Sequence, residues 1–295
     1  MTEQRTIVVT GATGNVGRQV VERLRNTGVR VRALVRAPEK ADLPGDVERV
    51  RGDLSRPETL GPAVAGADGV FLIWPFLDST GAEAVVREIA RNARRVVYLS
   101  SLGVRDDQER QGDPINQFHA DLERLIRRQD GLEWTFLRPC GFAVNTLGWA
   151  EQIRAGDEVR GPFGTLSSPL IHEADMAAVA VRALTEDGHA GKVHRLTGPE
   201  RLPVPEQVRI IGEEIGRPLR FVETSVEQAR RDMLDHGWPA ELVDAVLEGQ
   251  ATMRDVAEPV TTTVAEVTGR PARTFREWVR DHRADFQPSA STVST

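Results

Sequence analysis

"TIVVTGATGNVGRQVVERLRNTGVRVRALVRAP", residues 6–38, carries three glycines at three-residue spacing between an apolar run and a helical pattern. The opening TIVVTG (6–11) is β-branched and ends in glycine, which reads as a buried strand. VGRQVVERLRNTG (16–28) sets Val16, Val20, Val21 and Leu24 at helical spacing and stops at Gly28. VRVRALV (29–35) follows as a second strand. Side chains at Gly11, Gly14 or Gly17 would block the approach of a pyrophosphate, or of the helix to its sheet. Backbone N–H groups at the helix start then face the anion. Gly11, Thr13, Gly14, Asn15, Val16 and Gly17 are therefore candidate cofactor-binding residues. A tight structural turn is the competing reading, and the strand–helix–strand context favours the dinucleotide.

The end of the second strand separates the two nicotinamide cofactors. An acid about 20 residues past the glycines accepts hydrogen bonds from a ribose 2′-hydroxyl and repels a 2′-phosphate. Arg36 stands there instead, in ALVRAP. A guanidinium is a permanently charged, fork-shaped phosphate ligand that also stacks on adenine. The expected cofactor is NADP(H), with Lys40 as a second candidate cation. In a chain with 38 basic residues, of which only Lys40 and Lys192 are lysines, a merely solvated arginine is the alternative.

Outward from this stretch the strand–helix rhythm continues. VERVRGD (47–53), GVFLIWP (69–75), RRVVYLSS (94–101) and EWTFLRP (133–139) read as strands. PETLGPAVAG (57–66), GAEAVVREIARNA (81–93) and PINQFHADLERLIRRQD (114–130) read as helices, the last closed by Gly131. Such alternation predicts an α/β fold: a doubly wound, Rossmann-like parallel sheet with a smaller α/β C-terminal lobe. Residues 1–140 form the expected NADP-binding domain, its core also receiving parts of 170–200. Residues 141–286 form the interleaved substrate lobe, and the small polar tail 287–295 is expected to be disordered. Asp175 reads as a helix N-cap, and SVEQ (225–228) and TFRE (274–277) have capping-box spacing.

Composition narrows the function. A net charge of −6 gives no broad attraction to nucleic acid, and the arginine clusters RNARR and RLIRRQD read as solvated helix faces. One cysteine, Cys140, excludes an internal disulfide and fits a reducing compartment. No signal pattern or membrane-length apolar run is visible, so a soluble cytoplasmic protein is expected. His172, His189, His194, His236 and His282 show no metal-ligand spacing, and no metal is expected. No serine sits in a G-x-S-x-G elbow.

VTGATGNVGR, ALVRAPEK, GDLSRPETLGPAVAGADGVFLI, YLSSLGV, GLEWTFLRPCGFAVN, SPLIHEADMAAVAVRAL, LTGPERL and TGRPARTFREW span most of the chain. In order and spacing they resemble the NmrA-like group of atypical short-chain dehydrogenases/reductases. The resemblance implies that Asp53 and Leu54 border the adenine, and that Ile73, Trp74 and Pro75 follow the ribose and nicotinamide. It also implies that Ser100 and Ser101 lie near the reactive ring, and that Pro139 to Phe142 close over it. Strand-end turns and core packing are the competing readings.

Typical members of the wider superfamily use Tyr-x-x-x-Lys, in which lysine lowers the phenol pKa and the phenol protonates the carbonyl. This sequence lacks the pair. Its one tyrosine, Tyr98, lies within the fifth strand, and Arg36 and Gly188 stand four residues before the lysines. His119 and Glu123 occupy the expected region, one helical turn apart. His119 is the candidate catalytic proton donor, with Glu123 orienting it; a weak surface pair is the alternative.

The reading that follows is an NADPH-binding oxidoreductase. It would pass hydride directly to an enone, quinone, imine or activated ketone, acceptors that need little acid assistance. Trp74, Phe76, Phe118, Phe142, Trp149 and Phe163 are candidate walls for an apolar or aromatic small molecule. A homo-oligomer is left open. The rival reading is a non-catalytic NADP(H) sensor acting through a protein partner. An isomerase or lyase is a third.

Overall fold

The computed structural model describes residues 4–254 and 259–287. Contacts divide the chain into two units. The first comprises Met1–Cys140, Glu173–Leu196 and Thr263–Pro271, and the second Gly141–His172, Thr197–Thr262 and Ala272–Thr295.

The first unit opens with β1 (Thr6–Val9), all four residues buried, as a strand covered on both faces requires. Then come α1 (Asn15–Arg25), β2 (Arg30–Val35), β3 (Glu48–Arg51), α2 (Gly61–Val64), β4 (Ala67–Leu72), α3 (Ala82–Asn92), β5 (Ala93–Leu99), α4 (Pro114–Arg127) and β6 (Glu133–Pro139). The chain passes through α5 (Ala150–Ala155), β7 (Glu158–Gly161) and β8 (Ser167–Ser168) of the second unit, then adds α6 (Glu173–Thr185) and β9 (Lys192–Leu196) to the first. Seven parallel strands lie in the order β3-β2-β1-β4-β5-β6-β9. After β3 the chain returns to the other side of β1, so the strand order reverses between β1 and β4. In open α/β sheets ligands bind at that crevice. The expected doubly wound sheet is present.

One face packs α1 and α6 together. Val16, Val20, Val21 and Leu24 are the buried stripe of α1. The other face holds α2, α3 and α4 over a core that includes Val85, Val86, Ile89, Leu122, Ile126, Tyr98 and Phe136.

The second unit continues with β10 (Leu202–Pro203), α7 (Val204–Ile215), β11 (Arg220–Glu223), α8 (Val226–Asp235) and α9 (Ala240–Arg254). The chain then supplies α10 (Thr263–Thr268) to the first unit and α11 (Phe275–Asp281) to the second. The second unit's β11 pairs in parallel with β7, and β10 antiparallel with β8. Its core gathers Ile153, Val159, Val208, Ile211, Phe275, Trp278 and Phe286.

Several local expectations are corrected. Residues 57–66 are not one helix: a 3-10 turn (Pro57–Thr59) precedes the one-turn α2, because Gly61 and Pro62 interrupt the hydrogen-bond ladder. Asp175 is no N-cap, since α6 begins at Glu173 and Asp175 lies buried in its first turn. Arg94 and Arg95 lie on β5, not on a helix face, and Arg95 is buried, bonded to Glu133, Asp187 and the last carbonyls of α6. Thr274 and Glu277 complete a reciprocal capping box. Ser225 caps α8 through the Gln228 N–H, but the Gln228 side chain turns to Asp232 instead. The tail expected to be disordered lies, from residue 288, outside the described residues.

Candidate cofactor site

A groove of about 710 Å3 lies over the carboxyl ends of β1, β2 and β4. Its walls include Gly11, Ala12 and Thr13 from the glycine loop, and Arg36, Lys40, Asp53, Leu54, Ile73, Pro75 and Phe76. Two features of the loop fit a diphosphate. Gly11 has φ of +60°, a left-handed conformation that disfavours side chains. A Cβ on Gly17 would stand 2.1 Å from the Gly11 carbonyl oxygen, so α1 closes on the loop only with glycine there. The cap residue Gly14 offers no side chain to α1. The first-turn N–H groups of Asn15, Val16 and Gly17 therefore keep no intrahelical partner and present the positive end of the helix. Thr10, buried at the end of β1, fastens Ile73 to this loop. Its hydroxyl accepts from the Ile73 N–H (2.7 Å) and donates to the Ile73 carbonyl (3.2 Å).

The end of the groove beside β2 is set by charge. Arg36 is exposed on the groove wall, and its guanidinium makes no hydrogen bond or ion pair with the described residues. Asp53 accepts from the Ser55 N–H (2.9 Å) and hydroxyl (2.8 Å). Those bonds, with a smaller contribution from the Arg36 charge, hold its carboxyl below the usual range. Arg18 and Asp42 also line this end, joined at 3.1 Å. Sequence reasoning passed over both. Arg18 follows Gly17 directly and so had to lie in the first turn of the helix that opens on the glycine loop, which was the available signal.

The residues expected around the reactive ring each make contacts within their own unit. Trp74 turns inward, 6% exposed, and its indole N–H donates to the Asp78 carbonyl (2.7 Å). Ser100 is buried and donates to Glu123 (2.6 Å), and Ser101 donates to Asn116 (2.7 Å). Pro139 ends β6, where its carbonyl accepts from the Leu102 N–H (2.9 Å) and ties down the turn after β5. Phe142 belongs to the second unit and bridges Ile171. Of the six aromatic walls, Phe76 lines the groove, while Phe118 is buried in the first unit's core. Trp149 packs on the second unit's core, and Phe163 joins a separate cluster with Ala229, Val243 and Leu247.

Behind the end of β5 lies a buried ionic network. Arg138, 1% exposed, makes paired bonds to Glu123 (2.8 and 2.6 Å) and to Asp106 (2.9 and 2.7 Å). Burial alone would lower the guanidinium pKa, and the bonds to both carboxylates outweigh it and raise the pKa. The Arg138 bonds likewise hold Asp106 low. The expected His119–Glu123 pairing is thereby corrected: Glu123 is spent on Ser100, Arg138 and Arg127. His119 instead meets Tyr98, with Nδ1 2.6 Å from the phenol oxygen. Burial draws the His119 pKa down to about 3, although part of the residue stays accessible. It is neutral at pH 7 and holds no acidic proton of imidazolium type.

Residues 11–187 match a family model described as NAD(P)H-binding. The chain belongs to this family. It is an NAD(P)-binding atypical short-chain dehydrogenase/reductase, and the NADP(H) cofactor expected from the loop accords with the family's binding character. A (4-alkanoyl-5-oxo-2,5-dihydrofuran-3-yl)methyl phosphate reductase of Streptomyces griseus is 38% identical, covering 96% of this chain and 99% of the relative. An NAD(P)H azoreductase of Xenophilus azovorans is 36% identical, covering 95% and 99%. The Escherichia coli NADPH-dependent quinone oxidoreductase, solved with NADPH, has a TM-score of 0.82 at 22% identity, covering 94% of this chain and 99% of that one. That likeness concerns the fold.

Proposed function

We propose that this NAD(P)H-binding protein is an NADPH-dependent reductase that passes hydride directly to a conjugated small-molecule electrophile, without a Tyr-x-x-x-Lys pair. The observation that carries the reading is the groove over the glycine loop, which joins a helix start with no side-chain cap to the Arg36 guanidinium, unpaired among the described residues. Bound NADPH supplies the hydride. The chain's residues do the rest: α1 and the loop Gly11–Gly17 take the diphosphate, and Arg36 with Lys40 takes the 2′-phosphate. Asp53 and Leu54 border the adenine, and Ile73 and Pro75 guide the remaining half toward β5. Ser100, Trp74 and Pro139 shape that far end through backbone and packing, and His119 addresses the substrate.

The substrate class draws support from the relatives. The name of the Streptomyces enzyme's substrate describes a ring double bond conjugated to carbonyl groups, and that of the Xenophilus enzyme an azo bond. Both accept two electrons into a low-lying π system, where the acceptor stabilises its own developing charge. Such a reaction asks the protein mainly for positioning and exclusion of water. Enones, quinones, imines and activated ketones share this property.

NADPH consumption with a panel of these acceptors tests the reading, and turnover is expected. Saturable NADPH binding without oxidation across the panel would favour the rival cofactor sensor. The cofactor preference has a separate test. Arg36→Asp should weaken NADPH by about 10- to 100-fold, the worth of a charge-assisted bond, and leave NADH nearly unchanged. Equal affinities in both proteins would remove Arg36 from the 2′-phosphate.

A further inference from the structure

Tyr98 lies on β5, two residues before Ser100, and is fully buried. Its hydroxyl has one partner among the described residues, Nδ1 of His119 on α4. A buried phenol must donate its proton or leave it unsatisfied at a cost of about 1–3 kcal/mol. Burial, reinforced by the charge of Glu123, pushes the Tyr98 pKa well up, so the proton stays on oxygen. Nδ1 is consequently the acceptor, and the neutral ring must carry its hydrogen on Nε2. Nε2 has no protein partner among the described residues and is not among the fully buried polar atoms left unsatisfied, in keeping with the partial exposure of His119. Its neighbour Phe118 shares a core cluster with Tyr98 and Trp74, and Phe76 of the groove packs on that cluster. Through Tyr98, His119 is held to the carboxyl-terminal half of β5, the strand beside β4; in the cofactor pose proposed above, the far half of the dinucleotide comes to that side.

We propose that Tyr98 is a positioning residue that locks His119 as the Nε2–H tautomer, and that this N–H donates a hydrogen bond to the electron-accepting oxygen or nitrogen of the substrate. The inference rests on the reductase reading above. In the step it serves, the hydride and its electron pair form a new C–H (or N–H) bond on the acceptor. The acceptor's π pair moves to the atom held by Nε2–H, and that atom takes its proton from water. His119 keeps its own proton. Surrendering it would draw the Tyr98 proton onto Nδ1 and leave a buried phenolate near the Glu123 carboxylate. The dyad is an electrostatic clamp on developing charge and not an acid.

Imidazole 15N spectra of histidine-labelled protein read the tautomer directly, with the His119 signals assigned by their loss in His119→Gln. We expect a single Nε2–H form that does not titrate between pH 5 and 8 (near the ordinary histidine range of about 6.5), and a tautomer mixture in Tyr98→Phe. An Nδ1–H form, or titration near the ordinary value, overturns the proposal whatever the activity. In steady-state kinetics His119→Phe should lower kcat by about 100-fold with the KM for NADPH unchanged. His119→Gln, which keeps an amide donor, should recover most of that loss, and kcat should be flat with pH across the same range. Full activity in His119→Phe would equally overturn it. Failure of the reductase reading looks different: no turnover, with the Nε2–H signature intact.

Discussion

At the scale of single residues, the site is a contest of charges at one end of the groove. Arg18, Arg36 and Lys40 line it together with Asp42 and Asp53. The Arg18–Asp42 pair is half-exposed on one side and open on the other, so it contributes at most about 1 kcal/mol to stability. In the proposed cofactor pose, its larger effect is to mask a cation beside the 2′-phosphate. Asp42→Asn should therefore tighten NADPH by up to about fivefold, with little change for NADH, in a calorimetric titration at low salt. Raising the salt should erase the gain. That the glycine loop and Arg36 meet at one groove was legible in the sequence, because it depends on backbone conformation and on a fixed distance along the chain. Asp42 was not, because it meets Arg18 only across the groove. Tyr98 and His119 were missed as a pair for the same reason: a strand and a later helix bring them together.

Among elements, strands and amphipathic helices declared themselves by period. The errors fell where a local rule met a tertiary demand. Arg95 looked like helix surface until β5 carried it under the end of α6. Glu123 looked like a helical partner for His119, one turn away, but its helix face turns toward β6 and Arg138. That salt bridge fixes α4, β6 and the turn bearing Asp106 in one arrangement. Removing one member leaves buried charge uncompensated. Arg138→Met should cost about 3–5 kcal/mol in urea denaturation, far more than Arg94→Met, whose partner Glu133 is shared and whose side chain is exposed. Equal losses would show that the buried network contributes no more than a surface pair.

For the whole molecule, no helix of the described residues is long and apolar enough to cross a membrane. Acid should weaken the fold through its histidines. His194, 7% exposed, is held down to about 4 by burial, with the neighbouring His189 and Lys192 charges acting the same way. Since the unfolded chain titrates near 6.5, it binds more protons than the folded one between those values. Stability is complete above the unfolded pKa and declines as pH falls through the window, by on the order of 2 kcal/mol at pH 5 from this residue. His119, lowered in the same direction, adds to the slope. His194→Asn should flatten the dependence of unfolding free energy on pH between 7 and 5.

The five passages of the backbone between the two units carry a consequence for anyone dividing this gene. No single cut yields a self-sufficient half. A stop codon after residue 262 would strip the sheet-bearing unit of α10, which packs on α6 and β9. It would also rob the other unit of Phe275, Trp278 and Phe286, the aromatic plug of its interior. Exchanging the second unit for another will have to proceed by replacing several inserts at once, as in weaving, and not by ligating a front piece to a back piece.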